Sequence, residues 1–217
     1  LSNLNPYHST AALRRIAGDI ESQLDSAEAE ESPALRCLLS QVFGHLASMS
    51  LRYGQRAGYR GRAIRICSDG LRANQDSSML SVAYADAVVT WAYDPLTPPD
   101  RDKIITNLAS AWRNCKRALE LSNDKSETIN LLSQWSSVLR CQAHMHGRRD
   151  GKRYVLHALD ISRASISQDE SNAIANLDYG LTLWSAARWA NTEDEFYQLN
   201  QSAEKHLKAA HDSGLSI

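Results

Sequence analysis

Large apolar residues recur at steps of three and four through most of the chain, which is the spacing of one face of an α-helix. The runs are Leu35, Leu38, Leu39, Val42, Phe43 and Leu46; Leu131, Leu132, Trp135, Val138 and Leu139; and Ile174, Leu177, Leu181 and Trp184. No stretch shows the sustained alternation of apolar and polar residues that marks a β-strand. The pattern therefore predicts an all-α fold.

Four short polar clusters divide these runs, at residues 29–33, 74–78, 122–126 and 167–171. Each includes or ends in a serine, whose hydroxyl can cap the free N–H groups at a helix start. We interpret the clusters as links between helices of a single domain that covers residues 1–217. The nine predicted helices are 10–28, 34–53, 61–73, 78–93, 101–121, 127–146, 152–166, 172–190 and 194–212.

Alignment of the chain on these clusters produces repeated columns of residues. After each cluster a large residue is followed by a smaller one: Leu39 and Ser40, Tyr84 and Ala85, Leu132 and Ser133, Leu177 and Asp178. In other helices, residues that are mostly small recur at steps of four and three: Ala63, Cys67, Gly70; Ala111, Cys115, Ala118; Ala203, Leu207, Ala210. Small residues let neighbouring helices approach closely.

These columns resemble those of tetratricopeptide repeats. The resemblance implies a right-handed superhelix of antiparallel hairpins whose first helices line an inner surface. The chain departs from the family in its longer repeat, in the missing terminal proline, and in extra residues at 94–100 and 147–152. Long repeats with such inserts are similar to the C-terminal repeat regions of bacterial membrane-anchored serine/threonine protein kinases.

The inner surface implied by the resemblance carries polar side chains, namely Gln41, His45, Asp86, Asn130, Gln134 and Tyr179. A row of hydrogen-bonding groups could bind a peptide or a small polar ligand. The alternative is a solvated face without a partner, because an exposed surface needs polar residues for solubility alone.

Charge is unevenly distributed although the formal net charge is only −1. An alternative binding surface is a basic patch formed by Arg52, Arg56, Arg60, Arg62 and Arg65. Guanidinium groups could receive phosphate or an acidic peptide. The competing expectation is that this patch pairs with the acidic residues of 19–31, either beside it or in another copy of the chain. The balanced total predicts no nucleic-acid partner.

Motifs for catalysis, metal binding or cofactor binding are not found in the sequence. Cys141, His144 and His146 lie close in sequence, but residues two apart point to different faces of a helix. We therefore expect no metal and no cofactor. Cys67 and Cys115 are predicted to pack as compact apolar residues, and Trp91 and Trp184 are predicted to lie in the core.

Taken together, the sequence predicts a non-enzymatic binding module, most simply the sensor domain of a bacterial signalling protein such as a serine/threonine kinase. The alternative is a free-standing scaffold or chaperone-like adaptor. No run of apolar residues is long enough to span a bilayer. The first residue is Leu1 rather than methionine, so we expect a segment of a longer chain. A membrane-anchored sensor would place the module in the periplasm, and an adaptor would place it in the cytoplasm.

Overall fold

The computed structural model describes residues 6–25, 32–96 and 100–215, without the side chains of 6–9 and 148. Its helices are α1 (Pro6–Leu24), α2 (Pro33–Met49), α3 (Tyr53–Ala73), α4 (Ser78–Ala92), α5 (Arg101–Leu121), α6 (Lys125–Gln168), α7 (Ala173–Ala187) and α8 (Glu193–Asp212). The described ranges contain no strand.

The long element α6 is two helices joined at one residue. Gly147 has φ 71° and ψ −169°, which interrupts the helical backbone between a first arm, 125–146, and a second arm, 148–168. Glycine accepts positive φ without the steric cost that other residues incur. Counted this way, the described ranges hold nine helices and are 85% helical, so the predicted all-α fold is confirmed.

The chain divides into two compact units, Leu1–Asp100 and Arg101–Ile217. In the first unit α2 packs against α1, α3 and α4, and α3 also packs against α4. In the second unit α6 packs against α5 and α7, and α7 packs against α8. Helices that follow one another within a unit are therefore neighbours in space, as expected for stacked hairpins.

Five predicted helix bounds are wrong by four residues or more: the start and the end of α1, the end of α2, and the starts of α3 and of the second arm of α6. Helix α3 begins at Tyr53 rather than at 61. The glycines of this segment have open space around them and predicted a loop, but tertiary contacts described below hold the first turns of the helix. The second arm of α6 begins at 148 rather than at 152, because Gly147 alone makes the turn predicted to need a loop. Helix α1 ends at Leu24, and the rest of the first polar cluster, 29–31, lies outside the described residues.

Side-chain caps start the helices that follow the polar clusters, although not always the predicted serine. Ser32 Oγ accepts from the N–H of Leu35, and Ser77 Oγ accepts from the N–H of Leu80. At the next two clusters the caps are Asp124 and Asn172 instead of Ser126 and Ser171. Carboxylate and amide oxygens cap as well as hydroxyls do, so the position of the cap shifted without loss of the helix start.

The small-residue columns lie where the helices pack most closely. Ala63, Ala111 and Ala203 are all buried, as are Ala118 and Ala210. The structure adds a set that the sequence analysis missed, Ala158, Ser162 and Ser165 on the second arm of α6, each fully buried. Ser165 hydrogen-bonds Ser133 across the hairpin at 3.2 Å between the two oxygens. The column of small residues is therefore present in all four second helices.

The last helix differs from its counterparts on one face. Four columns show the difference: Arg60, Leu108, Val155 and Asn200; Ile64, Trp112, Leu159 and Glu204; Cys67, Cys115, Ser162 and Leu207; Leu71, Leu119, Ile166 and His211. In every column the α8 member is the most exposed. Helix α8 therefore presents a more exposed face than its counterparts, with Asn200, Glu204 and His211 on it.

Replacement of Ala118 by leucine tests the packing of α5. Its side chain is 2% exposed, so added volume should overpack the helix interface and lower the free energy of unfolding by about 1–3 kcal/mol. Ala164→Leu on an exposed part of α6 is the matched control and should change it by less than about 0.5 kcal/mol. Equal denaturant midpoints for the two variants would contradict the predicted register.

Glycine-to-alanine substitutions should have opposite effects in α7 and α3. A Cβ at Gly180 would lie 2.8 Å from Cγ of Leu207 and 3.1 Å from its backbone nitrogen, so Gly180→Ala should destabilise the second unit by about 1–3 kcal/mol. A Cβ at Gly58 meets nothing within 4 Å, so Gly58→Ala should stabilise the first unit by about 0.5–1 kcal/mol. Thermal melts of both variants measure this, and a shift of the same sign in both would refute it.

Candidate binding site

The predicted inner-surface residues of the first unit lie on two helices that pack together. Gln41 and His45 are exposed on α2, and Asp86 is exposed on α4. Helix α2 packs directly against α4, so these three polar side chains lie on adjacent helices of one unit. We refer to Gln41, His45 and Asp86 as the polar face of the first unit.

Asp86 combines accessibility with a partly desolvated carboxyl group. Desolvation by the surrounding protein raises the pKa of Asp86, and the positive charge of Arg60 partly opposes the shift. The side chain is nevertheless exposed. Within the described residues Asp86 forms no ion pair, since the nearby Arg60 is bonded to Asp94. Its carboxyl group is therefore accessible and lacks a direct ion-pair partner among the described residues.

The corresponding residues of the second unit are more enclosed. Asn130 and Gln134 are half-buried on the first arm of α6. Tyr179 on α7 packs against the buried cluster of Ile129, Ile166 and Ala175. The side chain of Tyr179 thus contributes to helix packing, which the sequence pattern did not indicate.

The ring of Tyr179 also meets His206 edge-on, with 4.8 Å between ring centroids. His206 Nδ1 lies 2.8 Å from Oδ1 of Asn176, whose amide nitrogen donates to the carbonyls of Glu170 and Asn172. Because that amide nitrogen is a donor, Oδ1 must accept, and Nδ1 carries the proton. Desolvation and then the charge of Lys205 lower the pKa of His206, against the opposing effect of Glu170.

The predicted basic patch is largely neutralised inside the first unit. Arg56 Nε lies 2.7 Å from Oδ2 of Asp94, and Arg60 Nε lies 3.2 Å from the same oxygen. The other carboxylate oxygen, Oδ1, accepts from the N–H of Leu96 at 3.1 Å. Both Asp94 and Arg60 are buried, so these contacts hold the start of α3 to the end of α4. We call this group the Asp94 clamp.

Hydrogen bonds decide the ionisation of Asp94. Burial alone would raise the pKa of its carboxyl, but the bonds from Arg56, the Leu96 N–H and Arg60 outweigh burial and lower the pKa to about 2. Asp94 was not identified in the sequence analysis, because it lies 38 residues from Arg56 and 34 from Arg60.

Of the remaining arginines of the patch, one forms an ion pair and the other two are exposed. Arg62 pairs with Glu21 of α1, and its guanidinium lies 4.1 Å from the ring centroid of Phe43. Pairing of the acidic segment with the basic patch, one of the two expectations, is therefore found at this contact. Arg52 and Arg65 are exposed.

A second buried ion pair joins the first arm of α6 to α7. Arg140 Nη1 pairs with Oδ1 of Asp178 and also donates to Ser136 Oγ at 3.1 Å and Thr182 Oγ1 at 2.6 Å. Desolvation raises the pKa of Asp178, while the charge and hydrogen bond of Arg140 oppose this. Oδ2 of Asp178 is buried and has no hydrogen-bond partner within the described residues. The pair fixes the contact between two helices and leaves no group open for a ligand.

All four cysteines are buried free thiols. The prediction that Cys67 and Cys115 pack as apolar residues is confirmed, since both are 0% exposed. Burial raises the pKa of Cys37 to about 11 and the pKa values of Cys67 and Cys115 to about 12. These three thiols therefore stay protonated at neutral pH and are poor nucleophiles.

The expected core position of Trp184 is wrong, and Trp91 is half-buried. Trp184 is 51% exposed, with the guanidinium of Arg188 5.0 Å from its ring centroid. It borders an open groove of about 560 Å³ whose other lining residues are Asn200, Ala203, Glu204, Leu207, Lys208 and His211. The groove thus lies between Trp184 of α7 and side chains of α8.

The described residues contain no group of three or more histidine, cysteine or acidic side chains placed to hold a metal ion. His144 is exposed and His146 stacks on Tyr154, with 4.8 Å between ring centroids. Across the described ranges, every helix is too short or too polar to cross a membrane.

Comparison with known proteins gives no match to a protein-family model and no significant match to a curated protein. The tetratricopeptide resemblance therefore depends on the residue columns and on the packing of neighbouring helices.

Substitution of Asp94 tests the clamp. Asp94→Asn leaves the buried guanidinium of Arg60 without a counter-charge, so we expect the free energy of unfolding to fall by about 3 kcal/mol. Asp69→Asn is the control, because Asp69 pairs with Arg72 at the surface, where ion pairs contribute less than about 1 kcal/mol.

The same variant should change the acid sensitivity of the protein. The folded pKa of Asp94 lies below its ordinary value of 3.8, so its contribution is complete above that pH and is lost as the pH falls towards 2. Urea melts across this range should show a steeper loss of stability in the wild type than in Asp94→Asn. Parallel curves would contradict the role of the clamp.

Proposed function

We propose that the protein is a non-catalytic binding module whose polar face in the first unit, Gln41, His45 and Asp86, binds a polypeptide segment that carries a basic side chain. The observation that supports this most is the carboxylate of Asp86, which is accessible, partly desolvated and without an ion-pair partner among the described residues. A cationic side chain would supply the missing counter-charge. Ionisable groups kept in such an unfavourable state are typical of functional sites.

The neighbouring residues suit an extended peptide. Gln41 offers both a donor and an acceptor, and His45 offers a ring nitrogen of either kind. Both are exposed on α2 beside α4. Because exposed polar side chains contribute little to folding, they can be substituted without unfolding the unit. Asp86→Asn keeps the size of the side chain and removes its charge.

Binding of labelled oligolysine, measured by fluorescence anisotropy at low ionic strength, tests this proposal. We expect the wild type to bind oligolysine better than oligoglutamine of the same length, and Asp86→Asn to weaken binding by about tenfold. Binding should also weaken as the pH is lowered through the raised pKa of Asp86, because the protonated carboxyl carries no charge.

Asp19→Asn is the matched control, since Asp19 is an exposed carboxylate on α1 of the same unit. It should bind oligolysine as the wild type does. Equal affinities of the wild type and Asp86→Asn, at unchanged melting temperature, would exclude the polar face as the binding site.

Within this proposal, the biological setting that the repeat resemblance favours is the sensor region of a bacterial membrane-anchored serine/threonine kinase. A free-standing adaptor is the second candidate, because the same polar face would serve to hold a client peptide. Sequence from the surrounding gene distinguishes them: a kinase domain followed by a membrane-spanning helix supports the sensor, and a start codon directly before the first helix supports the adaptor.

A further inference from the structure

The two arms of α6 meet at a basic segment that the polar face does not involve. Residues 147–153 read Gly-Arg-Arg-Asp-Gly-Lys-Arg. Arg149 and Arg153 are exposed, and Lys152 is half-buried. We call Arg149, Lys152 and Arg153 the basic cluster of the second unit. The sequence analysis treated this segment as an insert and assigned it no role.

The basic cluster differs from Arg56, Arg60 and Arg62 of the first unit, each of which forms an ion pair with a carboxylate. Lys152 Nζ donates to Oδ1 of Asn191 at 3.0 Å, and Arg153 Nη2 donates to the hydroxyl of Tyr154 at 3.2 Å. Both acceptors are neutral. No described carboxylate forms an ion pair with any of the three cations, although Asp150 is adjacent in the chain. The net positive charge of the segment therefore faces solvent.

Local structure adds to the cost of this charge. The second arm starts at 148, directly after the positive φ of Gly147. The start of a helix carries a partial positive charge, so cations in its first turns are unfavourable. The two arms approach closely here, since a Cβ at Gly151 would lie 2.5 Å from the carbonyl oxygen of Ala143. The three cations thus lie close together at a helix start, where acidic residues would stabilise the helix more.

The surroundings distinguish among anionic partners. Among the described large apolar side chains of residues 145–160, Leu156 alone is exposed, and one leucine is too little apolar surface to hold the protein in a lipid bilayer. The ring of Tyr154 is already stacked on His146 and lies 4.9 Å from the guanidinium of Arg153, so it does not offer a free platform for a nucleic-acid base. A carboxylate-rich protein segment needs neither feature and can bind guanidinium groups in a bidentate manner.

We propose that the basic cluster of the second unit, Arg149, Lys152 and Arg153, is a docking surface for an acidic segment of a partner protein. It is separate from the polar face of the first unit and attracts the opposite charge.

Anisotropy of labelled oligoglutamate at low ionic strength tests this proposal. The wild type should bind oligoglutamate better than oligoglutamine, and added salt should weaken the binding because exposed charges are screened. The double variant Arg149→Glu with Arg153→Glu should bind about tenfold more weakly or worse. Arg113→Glu, which reverses an exposed arginine on α5 of the same unit, is the control and should lose less than about twofold.

Thermal stability provides a second measurement that a general loss of structure would not produce. Acidic residues at a helix start are favourable, so the double variant should melt at a higher temperature than the wild type while binding oligoglutamate less well. A lower melting temperature together with unchanged affinity would refute the proposal.

Two further probes check the class of partner. Vesicles with anionic lipid and a single-stranded oligonucleotide should show no dependence on Arg149 and Arg153; dependence as strong as that of oligoglutamate would overturn the assignment to a protein segment. Asp86→Asn should bind oligoglutamate normally, and the double variant should bind oligolysine normally. Failure of one surface is therefore distinguishable from failure of the other.

Discussion

The close approach of helices at the small-residue columns is the constraint on which the rest of the structure depends. Ala63, Ala111, Ala158 and Ala203 are buried at equivalent positions, and Ser40 donates to the carbonyl of Ala63 at 3.2 Å across one such contact. There is little room at these points, since a Cβ at Gly70 would lie 2.7 Å from Cδ of Arg36. Steric fit therefore fixes how each helix is rotated. That rotation in turn decides which side chains, Asp86 among them, face solvent.

Two buried carboxyl groups, Asp94 and Asp178, have pKa values shifted in opposite directions. Asp94 has two guanidinium partners and a backbone N–H, and its pKa falls, so the ionised form stabilises the first unit. Asp178 has one guanidinium partner and a carboxylate oxygen without a partner, and its pKa rises, so its ionised form costs energy there. Arginines used in this way are not available to a ligand. The charges left over at the surface are those that a partner can meet.

The parts of the fold that depend on local spacing could be predicted from the sequence, and the parts that depend on tertiary neighbours could not. Helix α5 was predicted at its observed bounds, Arg101–Leu121, because its apolar and small residues recur at helical spacing. The pairing of Arg56 with Asp94 crosses two helices and has no local signal. Tyr179 was predicted on the polar inner surface and packs against a buried cluster, whereas Trp184 was predicted in the core and is exposed, because the neighbouring helix decides burial. The small-residue column at Ala158, Ser162 and Ser165 could have been recognised, since serine is small, but the polarity of serine suggested an exposed position.

The four thiols give the molecule a set of internal reporters. Cys37 lies in α2, Cys67 in α3, Cys115 in α5 and Cys141 in α6, and all are buried. A buried thiol reacts with a modifying reagent only while the structure around it is open. The labelling rate of each cysteine therefore measures how often the structure around its helix opens. Because two thiols belong to each unit, labelling of the wild-type cysteines shows whether the two units open together or separately.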